Sequence, residues 1–486
     1  MPERLIVETL LGHPREGAPA RHRDPQAPMR LLLTGDFSGC PSASRPPLAE
    51  RPTLRVDLDN LDTVVRRLAP ALTLPEFGSV SFETIDDFHP DRLLERLSVF
   101  RPLLDMRQRL LDPALFPQAA AELRQAALVP VPQASDAEAP AGDDLLARLL
   151  GGRPAAAGRA AAPAAGIDAF VSQVVAPHIV HGATVHQATC VASVDAALAG
   201  LLRALLHAPA FQALESAWRG VHWLVGRLEL DESLQLHLFD VTRDELLADI
   251  VAAEGHIERT GTYRVLVDRW RNQPGGEGWS ALVGLLRFGA SDTDIGLLAA
   301  LGIVASQAGG PWLADGDPTL AGGEESALDG WRTLRGSEVA PWIGLMAPRL
   351  LLRMPYGALS DPIMSFPFEE LENAPVPVHA HYLWGSAALG GTVLLGQAFT
   401  ARGWEFEPGD EREIGDLPSC TRISADGLQE LVPCAERWLG DQEAQAWLAS
   451  GLMPMLSDRR RNAATVMRFQ SIAEPSSPLR GPWTRA

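Results

Sequence analysis

Three histidines, His178, His181 and His186, fall within nine residues, and Cys190 follows them. On a helix His186 and Cys190 would share a face at i, i+4, a spacing that suits zinc. Pro177 and Gly182 interrupt the stretch, and no glutamate stands where H-E-x-x-H would need it. We read the cluster as structural and keep a metal-dependent enzyme built on it as the alternative. His379 and His381 could share one face of a strand at i, i+2, and again the structural reading is preferred. Asp57, Asp59 and Asp62 lack the glycine and distal glutamate of a calcium loop, so capping and solvation explain them. Asp86 and Asp87 are adjacent and would point to opposite faces of a strand, as would Glu369 and Glu370. A helix cap or an arginine partner suits Asp86 and Asp87 better than a paired-carboxylate site. Nucleophile elbow, dinucleotide fingerprint and P-loop are all absent from the sequence. No residue is therefore assigned to catalysis, to a cofactor or to a metal.

The elements that would position these residues alternate in type. Leu31-Leu32-Leu33 runs into Gly35-Asp36-Phe37-Ser38-Gly39 as a short apolar strand and a turn. Thr53–Leu58 alternates as a second strand, and Asp59 or Asn60 can cap a helix with Leu61, Val64, Val65 and Leu68 on one face. Ser79–Ile85 reads as a third strand, and Pro90 opens a helix bearing Leu93, Leu94 and Leu97. Further on, Val194, Leu198, Leu201, Leu202 and Leu205 form one helical stripe, and Phe211, Leu214, Trp218, Val221 and Val225 another. Leu234, Leu236 and Leu238 alternate, and Thr242 to Glu245 spells a capping box. The fold class is α and β mixed (α+β). No apolar run appears long enough to cross a bilayer, and Gly296–Ser306 and Ala387–Phe399 read as buried elements.

The 486 residues suggest two to four domains at roughly 150 residues each. The chain contains no lysine, so all 42 basic residues are arginine, against 61 acidic ones. That excludes lysine-dependent Schiff-base and P-loop chemistry. A net charge of −19 argues against nucleic acid as a partner. Cys40, Cys190, Cys420 and Cys434 form no C-x-x-C pair, and no apolar leader follows Met1, so a reduced, cytoplasmic setting is expected. Tryptophan and arginine punctuate the second half, residue types enriched in interface hot spots.

Ordered segments resemble the type VI secretion contractile sheath. Leu33 to Gly39, Arg51 to Pro70 and Phe82 to Leu111 resemble its small subunit. Phe211 to Val225, Leu282 to Phe288, Trp331 to Leu345, Pro348 to Gly357, Leu383-Trp384-Gly385 and Gly403-Trp404 resemble its large subunit. The resemblance implies a contractile-sheath-like architecture with a loose segment at 1–28 and a small-subunit-like domain at 29–129. An Ala/Pro/Gly linker at 130–166 then leads to a large-subunit-like domain at 167–475 and a tail at 476–486. It implies a mechanical role without an active site, and as partners other sheath protomers, the inner-tube protein, the baseplate and an AAA+ disassembly ATPase, with no nucleic acid and no membrane insertion. The apolar island at 143–150, with Leu145, Leu146 and Leu149, stands where the ATPase recognition helix would be. Asp36, Asp87, Pro90, Trp218, Arg219, Arg335, Arg349, Arg353 and Tyr356 are the residues expected to serve assembly. Two departures are visible: Leu285 stands where the family usually has aspartate, and only Ser476 to Ala486 follow where the large subunit continues. The second departure sets a sheath-like accessory, docking at a sheath end or baseplate, beside a polymerising subunit.

Overall fold

Strands that are buried on both faces need apolar residues at nearly every position, because a parallel sheet is covered by helices on each side. β1 (Met29–Gly35) has this character, with every residue but Arg30 buried. β2 (Leu54–Val56) alternates instead and lies at an edge. The other members of the sheet are β3 (Leu234–Asp240), β4 (Ala281–Phe288), β5 (Trp312–Gly316), β6 (Ile343–Ala347), β7 (Glu413–Ile414), β8 (Leu452–Ser457) and β9 (Ala464–Val466). Their order is β7-β9-β8-β6-β5-β4-β1-β3-β2. β8 through β3 run parallel, and β2, β9 and β7 join antiparallel at the margins. This computed structural model describes residues 26–127, 186–323, 328–371, 379–423 and 429–484.

The helices are α1 (Leu61–Leu68), α2 (Pro90–Arg96), α3 (Arg101–Leu111), α4 (Phe116–Ala127), α5 (Gln187–Leu206) and α6 (Pro209–Val225), followed by α7 (Arg243–Ala252), α8 (Asp292–Ala308), α9 (Asp329–Arg335), α10 (Ala387–Arg402) and α11 (Asp441–Ala449). α8 and α10 are buried almost all round, as the apolar runs within them suggested. They cover opposite faces of the sheet. A Cβ on Gly302 of α8 would come within 2.7 Å of the Ile343 side chain, and one on Gly391 of α10 would strike Met346. Residues 343 and 346 of one strand point to opposite sides, so each helix needs its glycine for its own close approach.

The chain divides into two compact units. One comprises the residues through Pro70, Ala213–Met354 and those from Tyr382 onward; the other comprises Ala71–Gln212 and Pro355–His381. The first holds the nine-stranded sheet. The second holds a hairpin (Ala71–Leu74 with Gly78–Ser81), α2 to α5 and the segment from Pro355. Its aromatic centre is Phe82 stacked on Phe88 at 4.1 Å, with Phe211 against both.

The units do not follow the order of the expected domains. β1 belongs to the stretch expected as a small N-terminal domain, yet it lies between β3 and β4, whose residues come more than 190 positions later. The stretch 29–129 therefore contributes to both units, as does the stretch from 186 onward. The third strand also differs from expectation: it ends at Ser81, and Ile85–Phe88 is a 3₁₀ turn. Asp87 causes this, because its carboxylate accepts from the Glu83 and Thr84 amides at 2.6 and 3.0 Å and closes a capping box. α5 also departs from the sequence reading, being long and apolar enough to cross a membrane; 56% of its most apolar window is buried inside the protein.

Candidate functional site

Glu245 sits in the first turn of α7 and does two things. Its Oε2 accepts from the Thr242 amide at 2.9 Å while the Thr242 hydroxyl accepts from the Glu245 amide, the expected capping box. Its two oxygens also receive Arg51, Nη2 to Oε1 at 2.6 Å and Nη1 to Oε2 at 3.0 Å. Burial pushes the Glu245 carboxyl up, but the Arg51 and Thr242 hydrogen bonds and the charges of Arg45 and Arg51 hold it below its ordinary value. Arg51 further donates to the Asp240 carbonyl at 2.9 Å, and Arg269 donates to the carbonyls of Arg51 and Ala49.

Asp240, at the end of β3, continues the cluster. Its Oδ1 accepts from the amides of Phe37 and Ser38 at 2.8 and 3.1 Å, fixing the turn that leaves β1. Arg45 reaches Asp36 at 2.5 Å, and both Asp240 and Glu245 at 3.4 Å. Burial works against the Arg45 cation, yet Asp240, Asp36 and Glu245 together raise its pKa. The Phe37 carbonyl accepts from Trp218 Nε1 at 2.8 Å, and the two rings meet edge-on at 5.6 Å. Apart from the Arg45–Asp36 pair and the Thr242–Glu245 cap, these bonds join residues before Pro70 to residues after Ala213, inside the first unit.

The other assembly candidates also have partners within the chain. Arg219 and Arg353 share the fully buried Glu215, with Nε to Oε1 distances of 2.7 and 2.8 Å. Arg349 grips Glu436 through Nε and Nη2 at 2.9 and 2.8 Å. Arg335 donates to the carbonyls of Ile472 and Ala449 and pairs with Glu474, which ties the last residues to α9. Asp87 pairs with Arg96 at 2.9 Å, and Pro90 occupies the first turn of α2. Tyr356 is buried; its amide donates to Glu370 Oε2 at 2.8 Å and its ring meets His89 edge-on. Asp36 alone among the nine presents a half-exposed side chain, and it caps the Gly39 amide as well as pairing with Arg45. Among the described residues the geometry gathers Asp36 and Trp218 around one turn, Arg219 and Arg353 on one carboxylate, and leaves the others apart.

Sequence reasoning passed over Asp240, Glu215 and Asp315. Glu215 had a signal: it stands four residues after Phe211, inside the apolar stripe of α6, where a lone carboxylate needs a cation. Asp315 lies in the buried strand β5; its carboxylate accepts from Ser386 Oγ at 2.7 Å and from the Ala388 amide at the start of α10. Burial raises its pKa to about 6. The histidine expectations change. His379–His381 is a 3₁₀ turn, not a strand, and His381 stacks on His207 at 3.9 Å. His186 is the N-cap residue of α5, while His178, His181 and the 143–150 island lie outside the described residues. Among the described residues no group of three His, Cys, Asp or Glu side chains is arranged to hold a metal.

The VipB family model, a tail sheath N-terminal domain, matches residues 188–329 and 322–473, more than half of the chain. The chain belongs to the VipB sheath family. A second model, VipA of the type VI secretion system, matches residues 20–125. Among curated relatives, the type VI secretion system sheath protein TssC1 of Pseudomonas aeruginosa is 30% identical over 308 residues, 59% of this chain and 61% of that protein. The sheath protein TssB1 of the same organism is 28% identical over 95 residues, 18% of this chain and 55% of that protein. The chain thus spans 61% and 55% of the lengths of these two relatives. It is a fusion of VipA-like and VipB-like segments. The Arg45, Arg51, Asp240, Glu245 and Trp218 contacts all lie on the seam between those segments.

Proposed function

We propose that this chain is a structural protomer of the type VI contractile sheath, with the small- and large-subunit parts on one polypeptide. The observation that carries the reading is β1: a strand from the VipA-like segment fills the middle of a sheet otherwise built by the VipB-like segment. A fixed one-to-one ratio of the two parts follows from their fusion, because each sheet needs one of each. The work is mechanical, and the partners are other sheath protomers, the inner-tube protein, the baseplate and, through Leu145, Leu146 and Leu149, an AAA+ ATPase. The place of action is the cytoplasm. In this reading Asp36, Asp87, Pro90, Trp218, Arg219, Arg335, Arg349, Arg353 and Tyr356 act in assembly by holding the surfaces of the protomer in shape, Pro90 by opening α2 and the others through their partners within the chain. The test is negative-stain microscopy of the purified chain with and without the inner-tube protein. Hollow helical tubes are expected; monomers or small rings under both conditions would turn the reading to the sheath-like accessory.

A further inference from the structure

The second unit holds two large apolar side chains in water on a loop that is pinned along its length. Leu359 is 103% exposed and Met364 is 87% exposed, in the segment that opens at Pro355. Asp91, in the first turn of α2, accepts from the Met364 amide at 2.9 Å and from the Ser365 amide and hydroxyl at 3.1 and 2.6 Å. The Gly357 amide donates to the Asp361 carbonyl at 3.0 Å, and the Ser360 amide to the Gly357 carbonyl at 3.1 Å. The Ala358 amide donates to Glu369 Oε1 at 3.0 Å. Both side chains forgo the gain of burial, on a backbone already ordered and therefore with little entropy left to lose on binding.

The same unit carries a second apolar patch. Leu111 ends α3 and Leu115 precedes α4, and both are half-exposed. Asp112 fixes the link between them: its Oδ1 accepts from the Ala114 amide at 2.8 Å and its carbonyl from the Leu115 and Phe116 amides at 3.1 and 2.9 Å. The two patches are tied to opposite ends of α5. Gln187, its first residue, donates to the Leu110 and Leu111 carbonyls at 2.8 and 3.2 Å. Arg203, in its last turn, donates to the Glu369 carbonyl at 3.0 Å, and Glu369 holds Ala358 beside Leu359. With 20 residues, α5 is about 30 Å long and keeps the patches apart within one copy.

We infer that Leu359 and Met364 of one copy seat on Leu111 and Leu115 of the next. Membership of a sheath family makes further copies of the protomer its neighbours. Each copy carries a net charge of −19, so copies repel over most of their surface and meet best where the surface is uncharged. Both patches have that character: Ala358 and Ser360 flank Leu359, Ile363 and Ser365 flank Met364, and Ala114 and Phe116 flank Leu115. The contact joins unlike surfaces, so it repeats head to tail and builds a ring or an open helix rather than a two-fold pair. It rests on the reading of the chain as a sheath protomer and names one surface through which neighbours meet.

The experiment uses the full chain with Cys40→Ser and Cys420→Ser, since those two thiols are partly exposed whereas Cys190 and Cys434 are buried. Leu359→Cys and Leu115→Cys are made separately in this background and treated with a short bismaleimide, each alone and as a mixture. Cross-linked dimer is expected in the mixture and not in either variant alone. Leu359→Asp with Met364→Asp, checked for an unchanged fold by circular dichroism, should weaken self-association in sedimentation about 100-fold. Cross-linking of Leu359→Cys with itself to the same extent as in the mixture would mean a symmetric pair and overturn the inference. Tubes in microscopy without the mixed cross-link would overturn this contact and leave the sheath reading standing. The mixed cross-link without tubes would support the contact and remove the sheath reading, and a chain monomeric at every concentration would remove both.

Discussion

Arg51 and Glu245 form a two-pronged ion pair across 194 positions of sequence, and Glu245 at the same time closes the cap of α7. One buried carboxylate thereby couples the edge of the VipA-like segment to a helix start in the VipB-like one. Both side chains are 8% exposed, so water does little to screen the pair or to replace a lost partner.

Removing one partner is therefore expected to cost more than removing both. Arg51→Met leaves the Glu245 charge buried with Arg45 at 3.4 Å as its nearest remaining cation, and the expected loss is about 3 kcal/mol. Arg51→Met with Glu245→Leu should recover most of it, less about 1 kcal/mol for the lost cap. Urea midpoints of the three proteins check this; a double variant weaker than the single one would contradict it.

Trp218→Phe keeps most of the buried ring and deletes the indole N–H that donates to the Phe37 carbonyl. That carbonyl is then left in the interior without this donor. A loss of about 1–3 kcal/mol is expected, measured by thermal or urea unfolding. Trp223→Phe supplies the comparison, because its ring lies under Arg227 at the surface, and it should change stability by less than about 1 kcal/mol.

Asp315 carries a pH signature of unusual sign for a carboxylate. Its folded pKa is about 6 against 3.8, so the folded state keeps a proton that the unfolded chain has lost. Stability falls as pH rises from 3.8 through about 6, and above that the penalty is about 3 kcal/mol. Asp315→Asn should remove this fall and gain stability at pH 7. Unfolding curves of variant and parent at pH 4.5, 5.5, 6.5 and 7.5 would show it as a difference that grows with pH and then levels off. A constant difference would rule the account out.

His237 produces the opposite slope in the parent. Burial, with Arg30 and Arg55 nearby, lowers its pKa from 6.5 to about 4. The unfolded chain takes up a proton that the folded one refuses, so stability is lost as pH falls from 6.5 towards 4. The two contributions oppose each other between about pH 4 and 6, so His237→Gln should make stability fall more steeply with rising pH there, read by the same unfolding series. A variant curve that still parallels the parent below pH 6 would refute it.

Gly302→Ala tests the helix–sheet approach. The added methyl would come within 2.7 Å of Ile343 Cδ1, and a destabilisation of about 1–3 kcal/mol is expected. Ile343→Val removes the obstructing atom, so the pair should be less destabilised than the sum of its parts. Strict additivity in calorimetry would place the strain elsewhere.

Local chemistry was legible where a residue and its partner are close in sequence. The Thr242–Glu245 cap, the proline start of α2 and the Asn60 entry to α1 could be read within four residues. Even there the detail moved: Asn60 does not cap α1 with its side chain but exchanges hydrogen bonds with Asp57. The expected Ser79–Ile85 strand stops at Ser81 because period-two hydrophobicity cannot see the Asp87 carboxylate, which turns the backbone beyond it.

The amino-acid sequence by itself determined the chain's family, its strand and helix types, and the absence of lysine chemistry, because these depend on residue identity and short periodicities. It also placed VipA-like and VipB-like segments in order along the polypeptide. Tertiary structure alone decided that these segments interleave, that Arg51 meets Glu245, and that Glu215 serves both Arg219 and Arg353. The physical reason is range. Propensity and capping act over a few residues, whereas the partner of a buried strand or a buried charge is set by which surfaces the whole chain can bring together, and here Arg51 meets Glu245 across 194 positions and Arg353 meets Glu215 across 138.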